Sequence, residues 1–230
     1  MSVSFKGLGN EGRLGNQMFQ YAFIRGLADN RGFNWVVPGP GADRMDNYGL
    51  FDAFELSNCD LNKNTGDPFY KTVEYRDMHF NEEIYDRCED NTNFSGNFQT
   101  ERYFEKISPS IREDFTFKKA YLEPCQEFVD SIGGRDECIF LHVRRGSPNL
   151  TGRRGEKWSY QMVQEYHPLC KDDYYVRALK EFPEDKTVIV VSDVIDWCKK
   201  QPYLQGDRFQ FSDSSYEVFG DGASVPYVDL

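Results

Sequence analysis

The fold is indicated first by residues 3–37, VSFKGLGNEGRLGNQMFQYAFIRGLADNRGFNWVV. Val3 to Lys6 is typical of a short strand, and a glycine-rich turn follows it. Apolar residues then recur at helical spacing from Met18 to Leu27, and the segment Asn30-Arg31-Gly32 is expected to stop this helix. Phe33 to Val37 predicts the next strand. The stretch therefore predicts a βαβ unit, in which a helix connects two parallel strands.

The second half of the chain shows the same alternation. Cys138 to Val143 is a continuous apolar run interrupted by one histidine, which predicts a strand buried on both faces of a parallel sheet. Further strands are expected at residues 187–191 and 209–211, with helices at residues 172–182 and 194–200. Between residues 43 and 130 the pattern predicts only a helix near 101–107. We therefore predict an α/β chain with two β/α halves, residues 1–130 and 131–230.

Composition limits the class of protein. The 230 residues include 27 Lys and Arg against 38 Asp and Glu, and the net charge of −11 argues against nucleic acid as a partner. Aromatic residues make up 16% of the chain, too many for a disordered protein. No stretch approaches the roughly 20 apolar residues of a membrane span, and the first residues lack the features of a signal peptide, so we expect a cytoplasmic protein. Cysteine and histidine spacing indicates neither a zinc site nor a disulfide framework.

The glycine loop admits two interpretations. Gly7 to Gly12 satisfies the G-x-G-x-x-G pattern of dinucleotide-binding loops, so an NAD(P)-binding protein is one alternative. Against it, the helical pattern starts after Gly15, and the second strand ends at Val37 without the acidic residue that binds the ribose. Asn16, near the start of the helix, either binds a phosphate or sugar hydroxyl or only caps the helix.

Two arginines follow the strand at 138–143. If strand alternation continues, His142 and Arg144 lie on one face, and Val143 and Arg145 on the other. A guanidinium presents paired donors to a diphosphate and stays charged at any working pH, so it neutralises a phosphate leaving group without a metal. The alternative is that both arginines only form ion pairs with some of the many acidic residues.

Two carboxylates are candidates for recognising a base. Asp193 follows the strand at 187–191, and Asp229 lies at the end of the sequence. A carboxylate accepts hydrogen bonds from both N1 and N2 of guanine, a pairing that adenine cannot offer. Each aspartate is equally compatible with capping a following helix.

Five ordered segments resemble the α-1,2-fucosyltransferase family, glycosyltransferase family 11. Residues 12–22, GRLGNQMFQYA, are similar to the family's opening GGLGNQMFQYA, and residues 141–146, LHVRRG, to its HVRRGD motif. The other three are residues 96–104, GNFQTERYF, continued by IREDFTFK at 111–118; residues 166–175, YHPLCKDDYY; and residues 190–198, VVSDVIDWC.

The resemblance implies a GT-B architecture, with two Rossmann-like halves facing a cleft. The first half is then the acceptor side and the second binds the nucleotide sugar. The implied reaction is metal-independent, inverting transfer of L-fucose from GDP-β-L-fucose to a hydroxyl of an acceptor glycan, with no cofactor. Arg144 is the implied catalytic residue and grips the diphosphate. The donor-binding residues expected from the resemblance and from residue chemistry together are His142, Arg144, Arg145, Arg13, Asn16, Asp193 and Asp229.

Two departures from the family pattern bear on activity. Ser147 stands where the motif ends in Asp, and it cannot serve as a carboxylate. The sequence also stops where the family continues into a helix and an SSFSWW motif, so the second half is expected to be incomplete at its C-terminus and GDP-fucose binding to be weak. A relative that binds nucleotide or glycan without catalysis is therefore the alternative. Glu156, Asp43 and Asp46 are candidate bases, with an ordinary surface acid as the alternative for each.

Overall fold

The structure is a computed structural model, and it describes residues 1–9, 12, 14–39, 49–56, 61–62, 71–145, 164–165 and 169–212. The chain divides into two compact units, Met1–Lys119 and Ala120–Leu230, called unit 1 and unit 2 below. The boundary expected from the sequence, at residue 130, lies near the end of the helix that opens unit 2. The acceptor and nucleotide roles assigned to the two halves stay predictions.

Unit 1 contains a parallel sheet whose described strands are ordered β3-β2-β1-β5-β4. Helix α1 connects β1 to β2, which confirms the predicted βαβ unit. The elements are β1 (Ser2–Ser4), α1 (Leu14–Arg31), β2 (Asn34–Pro38), α2 (Leu50–Ala53), β3 (Leu61–Asn62), β4 (Lys71–Tyr75), α3 (Glu82–Arg87), β5 (Thr92–Gly96) and α4 (Ser108–Asp114).

Helix α1 ends as predicted but begins earlier. Its end is closed by Gly32, whose positive φ of 64° lets Phe33 donate to the carbonyl of Ala28 at 2.9 Å. Its first residue is Leu14, so the predicted start after Gly15 is wrong. In the glycine loop, Gly9 and Gly12 have positive φ angles of 88° and 75°, and at Gly12 a Cβ would clash with the Asn16 side chain.

The core of unit 1 is built from aromatic rings. The rings of Phe23, on α1, and Phe98, just after β5, stack at 3.7 Å between centroids. Phe5, Phe94 and Tyr103 meet these two rings edge to face. Because the five side chains come from the residue after β1, from α1, from β5 and from the segment after β5, this cluster holds the helix against the sheet.

The segment near 101–107 differs from its prediction. It forms two short 3₁₀ turns, Glu101–Tyr103 and Glu105–Ile107, and the α-helix that follows them starts at Ser108. The first turn is capped by Thr100, whose hydroxyl accepts from the amide of Arg102 at 3.5 Å. Two short turns therefore replace the single predicted helix, and a side chain caps the first of them.

Unit 2 contains a second parallel sheet, whose described strands are ordered β6-β7-β8. The predicted strands and helices of this half are confirmed, with ends shifted by a few residues. The elements are α5 (Lys119–Ser131), β6 (Cys138–Val143), α6 (Asp172–Leu179), β7 (Thr187–Ser192), α7 (Ile195–Cys198) and β8 (Phe209–Phe211), with 3₁₀ turns at Arg135–Glu137 and Pro202–Leu204.

Strand β6 is not buried on both faces, so that prediction is wrong. Ile139, Leu141 and Val143 face the core formed with α6 and α7, whereas Phe140 is 61% exposed and His142 is exposed. An apolar run predicts burial on both faces of a strand, but β6 stands at one end of the described strand order, and only one of its faces packs against the core. The central strand β7 carries the expected burial instead.

Within the described residues, no helix is both long enough and apolar enough to cross a bilayer.

Candidate functional site

The end of β6 lies beside the end of β7 in unit 2. The two strands run parallel, in a register that pairs Val143 with Ser192. The residues that follow them, Arg144 and Asp193, are therefore neighbours at the carboxyl edge of the sheet. Open α/β sheets bind ligands at this edge.

The two arginines after β6 have different surroundings. Arg144 is exposed, and its guanidinium makes no hydrogen bond or ion pair with the residues that the structure describes. The side chain of Arg145 is 19% exposed, with its guanidinium 3.8 Å from the centroid of the Trp197 ring and 3.6 Å from a carboxylate oxygen of Asp172. An ion pair of the kind that the alternative expects is therefore present for Arg145, and none is present for Arg144 among the described residues.

Asp193 joins the two strand ends directly. Its carboxylate accepts a hydrogen bond from the backbone amide of Arg145 at 2.9 Å. Beside it, the Ser192 hydroxyl donates to the carbonyl of Val143 at 2.7 Å and accepts from the amide of Val194 at 3.0 Å. The cap residue of α7 is Val194, without a side-chain cap bond, so the helix-cap alternative for Asp193 is wrong.

His142 lies on the exposed face of β6. The strand ends at Val143, so strict alternation stops one residue before Arg144, yet His142 and Arg144 are both exposed, and Val143 is buried. The imidazole makes no ion pair or hydrogen bond with the described part of the chain. Its predicted contribution to a nucleotide pocket stays a prediction.

The charge of Arg145 acts on two buried neutral groups, the Tyr175 phenol and the Cys198 thiol. Burial raises the pKa of the Tyr175 phenol to about 12 and raises the pKa of the Cys198 thiol, while the positive charge of Arg145 lowers both slightly. Both groups therefore stay protonated near neutral pH. Neither group therefore serves as a base or as an activated nucleophile at this edge of the sheet.

In unit 1, Asn16 lies inside α1 rather than at its cap. It is the third residue of the helix, and its side-chain oxygen accepts a hydrogen bond from the side-chain amide of Gln99. The helix-cap alternative is therefore wrong. One turn further on, the Gln20 amide donates to the carbonyl of Gly96 at 3.0 Å. These bonds bring together the two sequence segments, 12–22 and 96–104, that carry the family resemblance in this half.

Gln99 is a candidate site residue that the sequence does not single out. The motif at 96–104 was recognised, but its glutamine was not singled out, because an amide side chain in a loop has no distinctive local pattern. Gln17, by contrast, is fully buried, and its side-chain oxygen accepts from the amide of Gly49 at 3.0 Å. Its contacts are those of a structural residue.

Several predicted residues lie outside the described part of the chain, namely Arg13, Asp43, Asp46, Ser147, Glu156 and Asp229. Among the residues described, no group of three or more His, Cys, Asp or Glu side chains is arranged to hold a metal ion.

Similarity to known structures supports the fold class. The chain resembles the crystal structure of fucosyltransferase NodZ from Bradyrhizobium with a TM-score of 0.57 and 11% identity, over 97% of this chain and 81% of that one. A crystal structure of the NodZ α-1,6-fucosyltransferase co-crystallised with GDP matches equally well, with a TM-score of 0.57, 12% identity and the same coverage. Together with the two parallel sheets, this similarity confirms the predicted α/β, GT-B-like class.

Sequence similarity leads to one family. An α-1,2-colitosyltransferase of Escherichia coli is 28% identical over 93% of this chain and 76% of its own length. The galactoside 2-α-L-fucosyltransferase Sec1 of Mus musculus is 25% identical over 83% of this chain and 50% of its own. The family model of glycosyl transferase family 11 matches residues 7–219. The chain therefore belongs to glycosyl transferase family 11, as the resemblance of its motifs predicts.

Proposed function

We propose that the protein is a metal-independent, inverting fucosyltransferase that moves L-fucose from GDP-β-L-fucose to a hydroxyl of an acceptor glycan in α-1,2 linkage. The observation that carries the proposal is the exposed guanidinium of Arg144 at the carboxyl end of β6, which makes no hydrogen bond or ion pair with the described residues. The names of both relatives specify a 1,2 linkage, and NodZ structures include one soaked with GDP-fucose.

In this reaction Arg144 supports the departure of GDP. The acceptor oxygen attacks the anomeric carbon of fucose from the side opposite the diphosphate. A new carbon–oxygen bond forms as the bond to phosphate breaks, so the configuration inverts. The acceptor proton leaves to a base, and negative charge develops on GDP. A guanidinium already held at that position stabilises this charge in the transition state, which is commonly the largest catalytic term.

The proposed donor sugar is L-fucose, and colitose is the alternative donor that the name of one relative suggests. Colitose is L-fucose without its 3-hydroxyl, and the Escherichia coli relative is named for it. A GDP derivative of either sugar presents the same diphosphate, so the same arginine would serve either donor. Measuring transfer with both donors in parallel assigns the sugar.

The test is calorimetric titration of the wild-type protein, Arg144→Ala and Arg177→Ala with GDP, GDP-fucose and NAD. We expect GDP binding by the wild type and no NAD binding. Arg144→Ala should lose about 1.5–3 kcal/mol or more of GDP binding with unchanged circular dichroism, because a charge-assisted contact is removed from an exposed side chain. Arg177 is an exposed arginine on α6 paired with Asp173, and its substitution serves as the matched control.

Transfer assays complete the test. Product NMR should show an α-fucosyl linkage to a 2-hydroxyl, and EDTA should leave the rate unchanged. GDP binding without turnover on any galactoside acceptor would instead support a relative that binds nucleotide without catalysis. Unchanged GDP affinity in a folded Arg144→Ala protein contradicts the assignment of the site, and a rate restored only by Mn²⁺ contradicts metal independence.

A further inference from the structure

Arg145 is held at three points by residues of unit 2. Its backbone amide donates to Asp193, its guanidinium carbon lies 3.8 Å from the centroid of the Trp197 ring, and one guanidinium nitrogen is 3.6 Å from Asp172. With its side chain only 19% exposed, this arginine is anchored, whereas its neighbour Arg144 extends into solvent.

The contact between the Arg145 guanidinium and the Trp197 ring is close, at 3.8 Å from the ring centroid. The distance is well inside the roughly 6 Å within which a cation and an aromatic face attract. Trp197 itself packs against the core of unit 2, so its ring is a rigid surface. The carboxylate of Asp172 is 56% exposed, and an ion pair with so much solvent around it contributes little.

We propose that Trp197 is a positioning residue for diphosphate binding, acting through Arg145 on Arg144. The indole holds the Arg145 guanidinium, this contact and the Asp193 bond keep the backbone after β6 in one conformation, and that backbone directs Arg144 toward the diphosphate. A preorganised arginine loses less conformational entropy on binding than one on a free loop. This inference rests on the proposed function, because the ligand it concerns is the diphosphate of GDP.

The test is a double-mutant cycle read out as GDP affinity by calorimetry. Trp197→Leu should weaken GDP binding about 5- to 30-fold, which is the size of a partly desolvated cation–π contact. Trp197→Phe, which keeps an aromatic face, should restore most of the affinity. In an Arg145→Met background Trp197→Leu should cause no further loss, because the cation through which it acts is already gone. A purely structural role would give additive losses and no rescue.

Phe209→Leu is the matched control. Phe209 packs against the same core and lies 5.6 Å from the guanidinium of Arg208, but it is not next to Arg144 in the sheet. Its substitution should leave GDP affinity unchanged. If Trp197→Leu lowers the melting temperature strongly, Arg145→Met still tests the contact, since it removes the cation and leaves the core intact, and it should weaken GDP binding in its own right.

The outcomes separate the two proposals. A wild-type protein that does not bind GDP, or an Arg144→Ala protein that binds it normally, overturns the proposed function and this inference with it. Suppose instead that the wild type binds GDP and Arg144→Ala loses that binding. Equal losses in Trp197→Leu and Trp197→Phe, or additive losses in the cycle, then overturn only the role of Trp197.

Discussion

The carboxylate of Asp193 accepts a hydrogen bond from the backbone amide of Arg145 at 2.9 Å and so joins the ends of two neighbouring strands. The same aspartate was considered from the sequence as a residue that recognises guanine. These two roles differ in what they require of the carboxylate. Reading N1 and N2 of guanine needs both carboxylate oxygens, whereas accepting from one amide needs only one.

Substitution of Asp193 distinguishes the two roles. If it fastens the strand ends, Asp193→Asn keeps an acceptor oxygen and should retain GDP binding, while Asp193→Ala should lose about 1–3 kcal/mol of it. If it reads guanine, Asp193→Asn should bind GDP as poorly as Asp193→Ala and should discriminate less against ADP. We expect the first pattern, and calorimetry with GDP and ADP on both variants measures it.

Asp114 should be important for the stability of unit 1. It is 3% exposed, forms an ion pair with Arg25, and accepts a hydrogen bond from the hydroxyl of Tyr21 at 3.0 Å. Asp114→Ala leaves a largely buried guanidinium without this partner, so it should lower the free energy of unfolding by about 3–5 kcal/mol. Tyr21→Phe removes one neutral donor and should cost only about 1 kcal/mol. Urea unfolding of both variants checks the order, and equal losses would contradict it.

Two glycines of α1 should respond oppositely to alanine. At Gly26 a Cβ would lie 2.2 Å from the carbonyl oxygen of Tyr103, whereas at Gly15 it would meet nothing within 4 Å. Gly26→Ala should therefore destabilise by about 1–3 kcal/mol, and Gly15→Ala should stabilise by about 0.4–1 kcal/mol through its higher helix propensity. Thermal unfolding measures both. A stabilised Gly26→Ala protein would show that α1 does not pack this closely on the turn at 101–103.

Tyr175 predicts a loss of stability in alkali. Burial raises its pKa from 10.0 to about 12, so the folded state favours the neutral phenol. The stabilisation is complete below pH 10, where the phenol is neutral in both states, and it is lost as the pH rises through 12. Relative to Tyr175→Phe, the wild type should therefore lose free energy of unfolding over this interval and not below it. Urea titrations of both proteins across this range give the comparison.

Much of the chain was predictable because its signals are local. Three such signals each reflect the geometry of one element: the spacing of apolar residues along α1, the glycine that follows α1, and the β-branched run of β7. They can therefore be recognised without the rest of the molecule. The family motifs are local in the same sense. The fold class and the family follow from such features, and both predictions are confirmed.

The difference in exposure and contacts between Arg144 and Arg145 depends on residues far away in the sequence. Arg145 is held by Asp193, 48 positions later, and by the ring of Trp197 on the helix that follows it. Asn16 likewise meets Gln99 across 83 positions, which excludes the cap role that its local position suggests. One-sided burial of β6 follows from the same dependence, because which face of a strand is covered depends on where other elements pack. Local pattern indicates which residues carry useful chemistry, and packing between distant segments sets which of them is left exposed to a ligand.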